Sequence, residues 1–372
     1  MIDSTHVLMF VEDPGAANFI APLPAVLAEL GWHVTVLAAG LAKNYLEDRH
    51  VDIQVVDSSM AAEQILSTIN PRMLIAGTAE NKDTFGLTLI SAARASGIIT
   101  IGIIDRVTNA HYRFRGWSDA PLTYAPDWLL VPDEWTKQAF IVLGFPETHT
   151  VVCGHPHYDY VMDMARRFKQ VSRGDFRHRL LPGVKDGQKA VVFVTESSAR
   201  VKRFSPPPVQ EYTFTGREKK TGRTEIMLEE FLDAVQSINP QPYLILRLHP
   251  KDAPVDYSSY LDEFDQVDSG GSPLELLYAA DLVVGMTSML LLEAALMGRP
   301  TLSIVPRLIE KEWLPSIRMG VTPCVTTRKQ LRSALADLLR EGSEQPPIDN
   351  HHFVIAGSLQ RTVEFIERLL DR

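Results

Sequence analysis

Three short segments, Thr195-Glu196-Ser197-Ser198, His249-Pro250-Lys251 and Met286-Thr287-Ser288, each follow a run of strand-forming residues. In an open α/β sheet, ligands bind at the carboxyl ends of the strands, so hydroxyls, an imidazole and an ammonium there would converge on an anion. Thr287-Ser288 also opens the apolar helical stretch SMLLLEAALMG. The first N–H groups of such a helix and its partial positive charge suit a phosphate. Glu293, about one and a half turns further in, could reach a ribose or sugar hydroxyl. Each residue also has a plain structural reading: Thr287 or Ser288 as a helix N-cap, His249 as a strand-end ring bonded to a carbonyl, Pro250 as a strand terminator, Glu293 as a solvent-facing helix residue. The combination favours ligand binding over any of these alone.

The first half of the chain offers a second set. Glu12 and Asp13, in FVEDPGAAN, follow the first strand and are the carboxylates best placed to act as a base. Their alternative role is to cap the next helix and favour its dipole. Gly15, with Ala16 and Ala17, lets a ligand approach that helix, on which Asn18 also lies. Thr78-Ala79-Glu80-Asn81 and Asp105-Arg106 follow later strands, and IIDRVTNAHYRFRGW adds Asn109, His111, Tyr112, Arg113 and Arg115, a polar and aromatic patch suited to a sugar or an anion. His155 and His157 in GHPHYD have a spacing that a metal could use, but no third ligand is evident, and a hinge role is expected for them.

The elements that must position these residues alternate. Apolar strands and amphipathic helices follow one another from HVLMFVE to THTVVCG and again from AVVFVTE to PTLSIV, which predicts parallel, doubly wound sheets. A chain of 372 residues holds two such domains. The expected partition is a Rossmann-like domain over residues 1–160, a basic and polar linker over 161–188, a second Rossmann-like domain over 189–355, and a closing amphipathic helix over 356–372 that packs on either domain or across both. Residues 198–223 interrupt the second series with three successive prolines and many cations, as a lid or a surface insertion. A net charge of −9 opposes general affinity for nucleic acid or anionic lipid. Two cysteines are too few for a disulfide framework or a thiolate metal site, which fits a reducing cytoplasm. The amino terminus lacks a basic region ahead of its apolar run, and no window holds the apolar length of a membrane span, so any membrane association is expected to be peripheral.

ADLVVGMTSMLLLEAALMGRPTLSIV resembles the donor site of glycosyltransferase-B-fold proteins, LRLHPKD the His-Pro motif of bacterial polysialyltransferases and CDP-glycerol glycerophosphotransferases, and VVCGHPHYD the stretch closing the first domain in several such families and in UDP-N-acetylglucosamine 2-epimerases. The resemblance implies a two-domain enzyme with a cleft, an acceptor half followed by a nucleotide-sugar half. Its implied reaction is metal-independent, inverting transfer of a sugar to a glycan or small-molecule acceptor, with no cofactor beyond the nucleotide sugar. Carried over by position, His249, Thr287 and Ser288 hold the donor phosphates with Thr195, Glu196, Ser197, Lys251 and Glu293 around them. Glu12 or Asp13 is the base, and Gly15, Asn18, Asp105, Asn109, His111 and Arg113 meet the acceptor. Polysialyltransferases carry two acidic residues followed directly by Gly, whereas Pro14 intervenes here. Two competing expectations are a UDP-N-acetylglucosamine 2-epimerase-like isomerase, which needs acidic residues around the sugar C2, and a non-catalytic nucleotide- or glycan-binding protein of the same fold.

Overall fold

The structure is a computed structural model that describes residues 6–56, 60–78, 82–196, 212–217, 222–340 and 356–370. The chain divides into two compact units, Met1–Tyr160 with Asn350–Arg372, and Val161–Asp349. Ser197 and most of the proline-rich 198–223 stretch lie outside the described residues.

In the first unit β1 (His6–Val11), β2 (His33–Ala38), β3 (Gln54–Val55), β4 (Met73–Gly77), β5 (Ile99–Ile103), β6 (Trp128–Val131) and β7 (Thr150–Val152) form one parallel sheet. Their order is β3-β2-β1-β4-β5-β6-β7. Helical crossovers cover both faces of such a sheet, so its strands are apolar on both sides. Along β1, Val7, Met9 and Val11 join a cluster with Phe19 and Leu27, while Leu8 and Phe10 join another with Ile90 and Phe140. The stretch NFIAPLPAVLAELGWH, which reads as one helix, is two, Pro14–Ile20 and Leu23–Glu29. Pro22 and Pro24 have no N–H to give to a preceding turn and interrupt the ladder.

The closing helix Ser358–Leu370 belongs to this first unit. Val363, Phe365, Ile366, Leu369 and Leu370 enter the cluster that holds β1, and the Asp159 carboxylate accepts the Gly357 and Leu359 N–H groups at 2.8 Å each. Arg361 Nε donates to the Cys153 carbonyl at 3.0 Å.

The second unit repeats the plan with β8 (Ala190–Val194), β9 (Tyr243–Arg247), β10 (Gln266–Asp268), β11 (Leu282–Gly285), β12 (Thr301–Ile304) and β13 (Cys324–Val325), all parallel, in the order β10-β9-β8-β11-β12-β13. Residues 161–188, which read as a linker, are largely helical instead. They hold the end of helix Pro156–Phe168 and helix Arg173–Leu180. Phe168 and Phe176 pack on Tyr278 with ring centroids 5.3 and 5.5 Å away. The Asp281 carboxylate accepts from Arg173 at 2.8 Å, from Arg177 at 2.7 Å and from the Ala190 N–H at 2.8 Å. Arg173 also donates to the Tyr278 and Ala279 carbonyls at the end of helix Pro273–Ala279, where cations are favoured. The basic composition is thus a clamp on the start of two strands.

Each sheet reverses its winding once, between β1 and β4 and between β8 and β11. Glycine closes the later strand both times: a Cβ on Gly77 would lie 2.8 Å from Val11 Cγ1, and one on Gly285 2.5 Å from Val194 Cγ2.

Burial alone would raise the Asp281 pKa, but the Ala190 N–H and the two guanidiniums hold it below the usual carboxylate value. Asp281→Ala, which leaves both cations without that carboxylate, is expected to cost about 3 kcal/mol. A lower midpoint for the second unit in urea unfolding checks this, and an unchanged midpoint would refute the clamp.

Candidate functional site

In the second unit the residues that follow β8 and β11 meet at the reversal point. The Glu196 carboxylate accepts the Thr287 N–H and, at 3.1 Å, its hydroxyl, and pairs with Arg223 Nη1 at 2.8 Å. Ser288 caps helix Met289–Leu296, its Oγ accepting the Leu290 N–H at 3.4 Å. Capping and strand-end placement therefore both hold for Thr287-Ser288. Glu293, in that helix, is buried rather than solvent-facing. Arg223 heads helix Arg223–Val235, is 3% exposed, and also pairs with the fully buried Glu310. Glu310 takes Arg307 Nε at 2.7 Å as well, and the Trp313 ring faces both guanidiniums. Burial disfavours the Arg223 charge, yet Glu196 and Glu310 raise its pKa above the ordinary value. The result is an anion seat of backbone N–H, hydroxyl and guanidinium, filled by the chain's own carboxylate.

β8 is stitched to β9 on its other side. The Thr195 hydroxyl accepts the His249 N–H at 2.8 Å and donates to Asp252 at 3.0 Å, and the Tyr257 hydroxyl donates to Asp252 at 2.9 Å. The Lys251 N–H donates to His249 Nδ1 at 3.1 Å. With Nδ1 as acceptor, a neutral ring carries its proton on Nε2. Lys251 is exposed. Thr195, Glu196, His249, Lys251, Thr287 and Ser288 thus stand at the ends of three adjoining strands, β9, β8 and β11. Arg223 and Glu310, which complete the seat, lie in stretches where no strand end marks them. Asp252 closes the LRLHPKD motif, and its carboxylate ties β9 back to Thr195.

In the first unit Asp13 is the backbone N-cap of helix Pro14–Ile20, and its side chain makes no capping bond. Glu12 follows β1 and is half-buried, its carbonyl accepting the Ala42 N–H at 3.2 Å. Gly15 faces Asp105 so closely that a Cβ would lie 2.1 Å from Oδ2. Asp105 and Arg113 form an ion pair, Nη1 to Oδ1, at 2.9 Å. Arg113 is 3% exposed and gives its other donors to the Thr78 hydroxyl at 3.0 Å and the Arg106 carbonyl at 3.3 Å. Its charge is spent on holding the post-β5 loop. Burial pushes the Asp105 pKa up, but Arg113 and Arg106 overcome this and hold it below the usual value, so the carboxylate stays ionised. Asn18 Oδ1 is buried without a partner. Asn109 adopts a left-handed conformation at φ 58° and opens the short turn Ala110–Tyr112, and His111 is exposed beside the Tyr112 ring. The structure brings Gly15, Asp105 and Arg113 together, whereas Asn109 and His111 stay on the outer turn. Among the described residues no group of three or more His, Cys, Asp or Glu could hold a metal ion, and no helix is long and apolar enough to cross a membrane.

No protein-family model matches the sequence, and no curated protein matches it. Solved structures do. The UDP-GlcNAc 2-epimerase of Neisseria meningitidis, bound to UDP-GlcNAc, is similar with a TM-score of 0.69 at 12% identity over 98% of this chain and 100% of that one. S. aureus MnaA with UDP gives 0.69 at 13% over 99% and 97%, and HepE from Anabaena with UDP gives 0.60 at 13% over 98% and 100%. At such identities the likeness fixes the fold: two Rossmann-like domains of the glycosyltransferase-B type.

Because the folded pKa of Asp105 is lower than the unfolded one, its stabilising share is complete above about pH 4 and fades as the pH falls through the folded value. Asp105→Asn leaves Arg113 buried without that charge. It is expected to lower the melting temperature at pH 7 and to flatten its decline below about pH 4, where the wild-type carboxylate takes up its proton. A melting series that shows the wild-type acid slope in the variant would contradict this.

Proposed function

We propose that the protein acts on a nucleotide sugar and isomerises it in the manner of a UDP-N-acetylglucosamine 2-epimerase. The observation that carries this reading is the anion seat formed by Thr287 and Arg223 at the head of helix Met289–Leu296, where Glu196 already shows that an anion is accommodated. The fold supports it, being shared over nearly the whole chain with proteins whose structures contain UDP or UDP-GlcNAc.

In this reading the Thr287 and Ser288 groups and the His249 Nε2–H donate to the diphosphate, Lys251 adds positive charge, and Glu293 takes a ribose hydroxyl. Fixed donors aimed at a leaving group stabilise the charge that grows on it. Inverting C2 of the sugar requires removing its hydrogen, which becomes feasible when the neighbouring C1–O bond to the diphosphate breaks. The proton goes to a carboxylate, and both bonds re-form with the hydrogen returned to the opposite face. Asp105, kept ionised by Arg113, is the foremost carboxylate of the first unit for this, with Glu12 and Asp13 beside it in sequence role. A second reading, transfer to an acceptor, rests on the fixed His249 tautomer in the His-Pro-Lys motif. The same donors would release a nucleotide there, with Glu12 or Asp13 taking the acceptor's proton.

Incubation with UDP-GlcNAc alone in D2O separates the two by proton NMR. Isomerisation is expected to replace the C2 hydrogen with deuterium and yield a second isomer, whereas transfer needs an acceptor. Because the protein supplies the positive charge in this reading, the activity should persist in EDTA. UDP should raise the melting temperature, and His249→Ala should weaken UDP binding about tenfold or more, the loss of one charge-assisted hydrogen bond. Absence of both C2 exchange and UDP stabilisation in folded protein would set the proposal aside.

A further inference from the structure

His155, which reads from sequence as part of a hinge, lies instead beside Asp105. Gly15 and Phe19 are four residues apart on helix Pro14–Ile20 and so share a face. Gly15 abuts the Asp105 carboxylate, and the Phe19 ring lies 5.0 Å from that of His155. One helix face therefore lines up the carboxylate and the imidazole. The ring is 4% exposed and stacks on Tyr158 at 4.8 Å, and its Nδ1 accepts the His157 N–H at 3.3 Å. That bond puts the proton of the neutral ring on Nε2, where among the described residues no hydrogen bond is made. Burial, with His157 and Arg49 nearby, pulls the His155 pKa down to about 3 against the pull of Asp105, so the ring is neutral while the carboxylate is charged.

A neutral donor next to a charged carboxylate, whose oxygens carry more lone pairs than Arg113 uses, suits a group that accepts and donates through the same oxygen, as a sugar hydroxyl does. We propose that His155 is a sugar-contacting residue of the first unit: its Nε2–H donates to a hydroxyl of the bound sugar whose own proton is accepted by Asp105. This rests on the reading of the chain as a nucleotide-sugar enzyme.

Two substitutions distinguish ligand contact from a structural role. A Gln amide reaches about where Nε2 stands, whereas an Asn amide reaches only about as far as Nδ1 and can satisfy the His157 N–H. His155→Gln is expected to keep kcat/KM for UDP-GlcNAc within about tenfold of wild type, and His155→Asn to lose about a hundredfold, the scale of a lost transition-state donor. Asn equal to or better than Gln, in variants that melt normally, would overturn the proposal and leave His155 as a support for the His157 backbone. Imidazole nitrogen-15 spectra of the wild-type protein decide the point without any variant. The expected result is protonated Nε2 and bare Nδ1 at pH 7, with the Nε2 signal moved by UDP-GlcNAc. A ring protonated on Nδ1, or one unmoved by saturating UDP-GlcNAc, would overturn it. If UDP-GlcNAc is neither bound nor turned over, the functional reading fails separately. Titration with free N-acetylglucosamine then decides His155: a moved Nε2 signal keeps the contact and an unmoved one removes it.

Discussion

Both sheets are wholly parallel and reverse their winding once, and the meeting of Glu196 with Thr287 depends on that reversal. At such a point the crossovers leave in opposite directions, so the backbone after the two central strands is uncovered at the carboxyl edge. Glu12 and Thr78 stand there in the first unit, Glu196 and Thr287 in the second. The approach of the paired strands leaves no room for a side chain on Gly77 or Gly285. Two edges of the same construction thus carry different chemistry, one rich in carboxylates and the other in N–H and hydroxyl donors with a guanidinium behind them.

The electrostatics of the two edges differ accordingly. In the second unit a buried arginine is shared by two glutamates, one of which reaches into the helix head. An entering phosphate would meet a carboxylate already bonded to the donors it needs, so Arg223 and Glu310 set how readily Glu196 moves. In the first unit the charges run the other way: one buried arginine serves one carboxylate and otherwise holds the loop. That leaves acceptor capacity on Asp105 beside the imidazole N–H of His155.

Much of this was legible in the sequence because strand ends are. Most strands of the described residues are apolar runs, and the polar residues that stop those runs, such as Glu196, His249 and Thr287, announce the edge. What stayed hidden has physical causes. Arg223 and Glu310 are joined only by tertiary pairing across distant stretches, and β13 is two residues long and leaves no periodic pattern. The cations near Arg173 and Arg177 looked like solvent-facing linker because their partner, Asp281, is about a hundred residues away. The role of His155 was missed for a related reason: Gly15 and Phe19 place it beside Asp105, a proximity that neither motif contains.

The return of helix Ser358–Leu370 to the first unit matters for how the chain is made. On the ribosome β1 to β7 emerge first, but the face that Val363, Phe365, Ile366, Leu369 and Leu370 will cover cannot close until the helix that carries them has emerged. At about 5–20 residues per second, translating the intervening stretch takes on the order of tens of seconds. The second unit, contiguous in sequence, can therefore become native while the first still exposes apolar surface. Emergence of that helix, rather than exit of the strands, is the event that completes the amino-terminal unit.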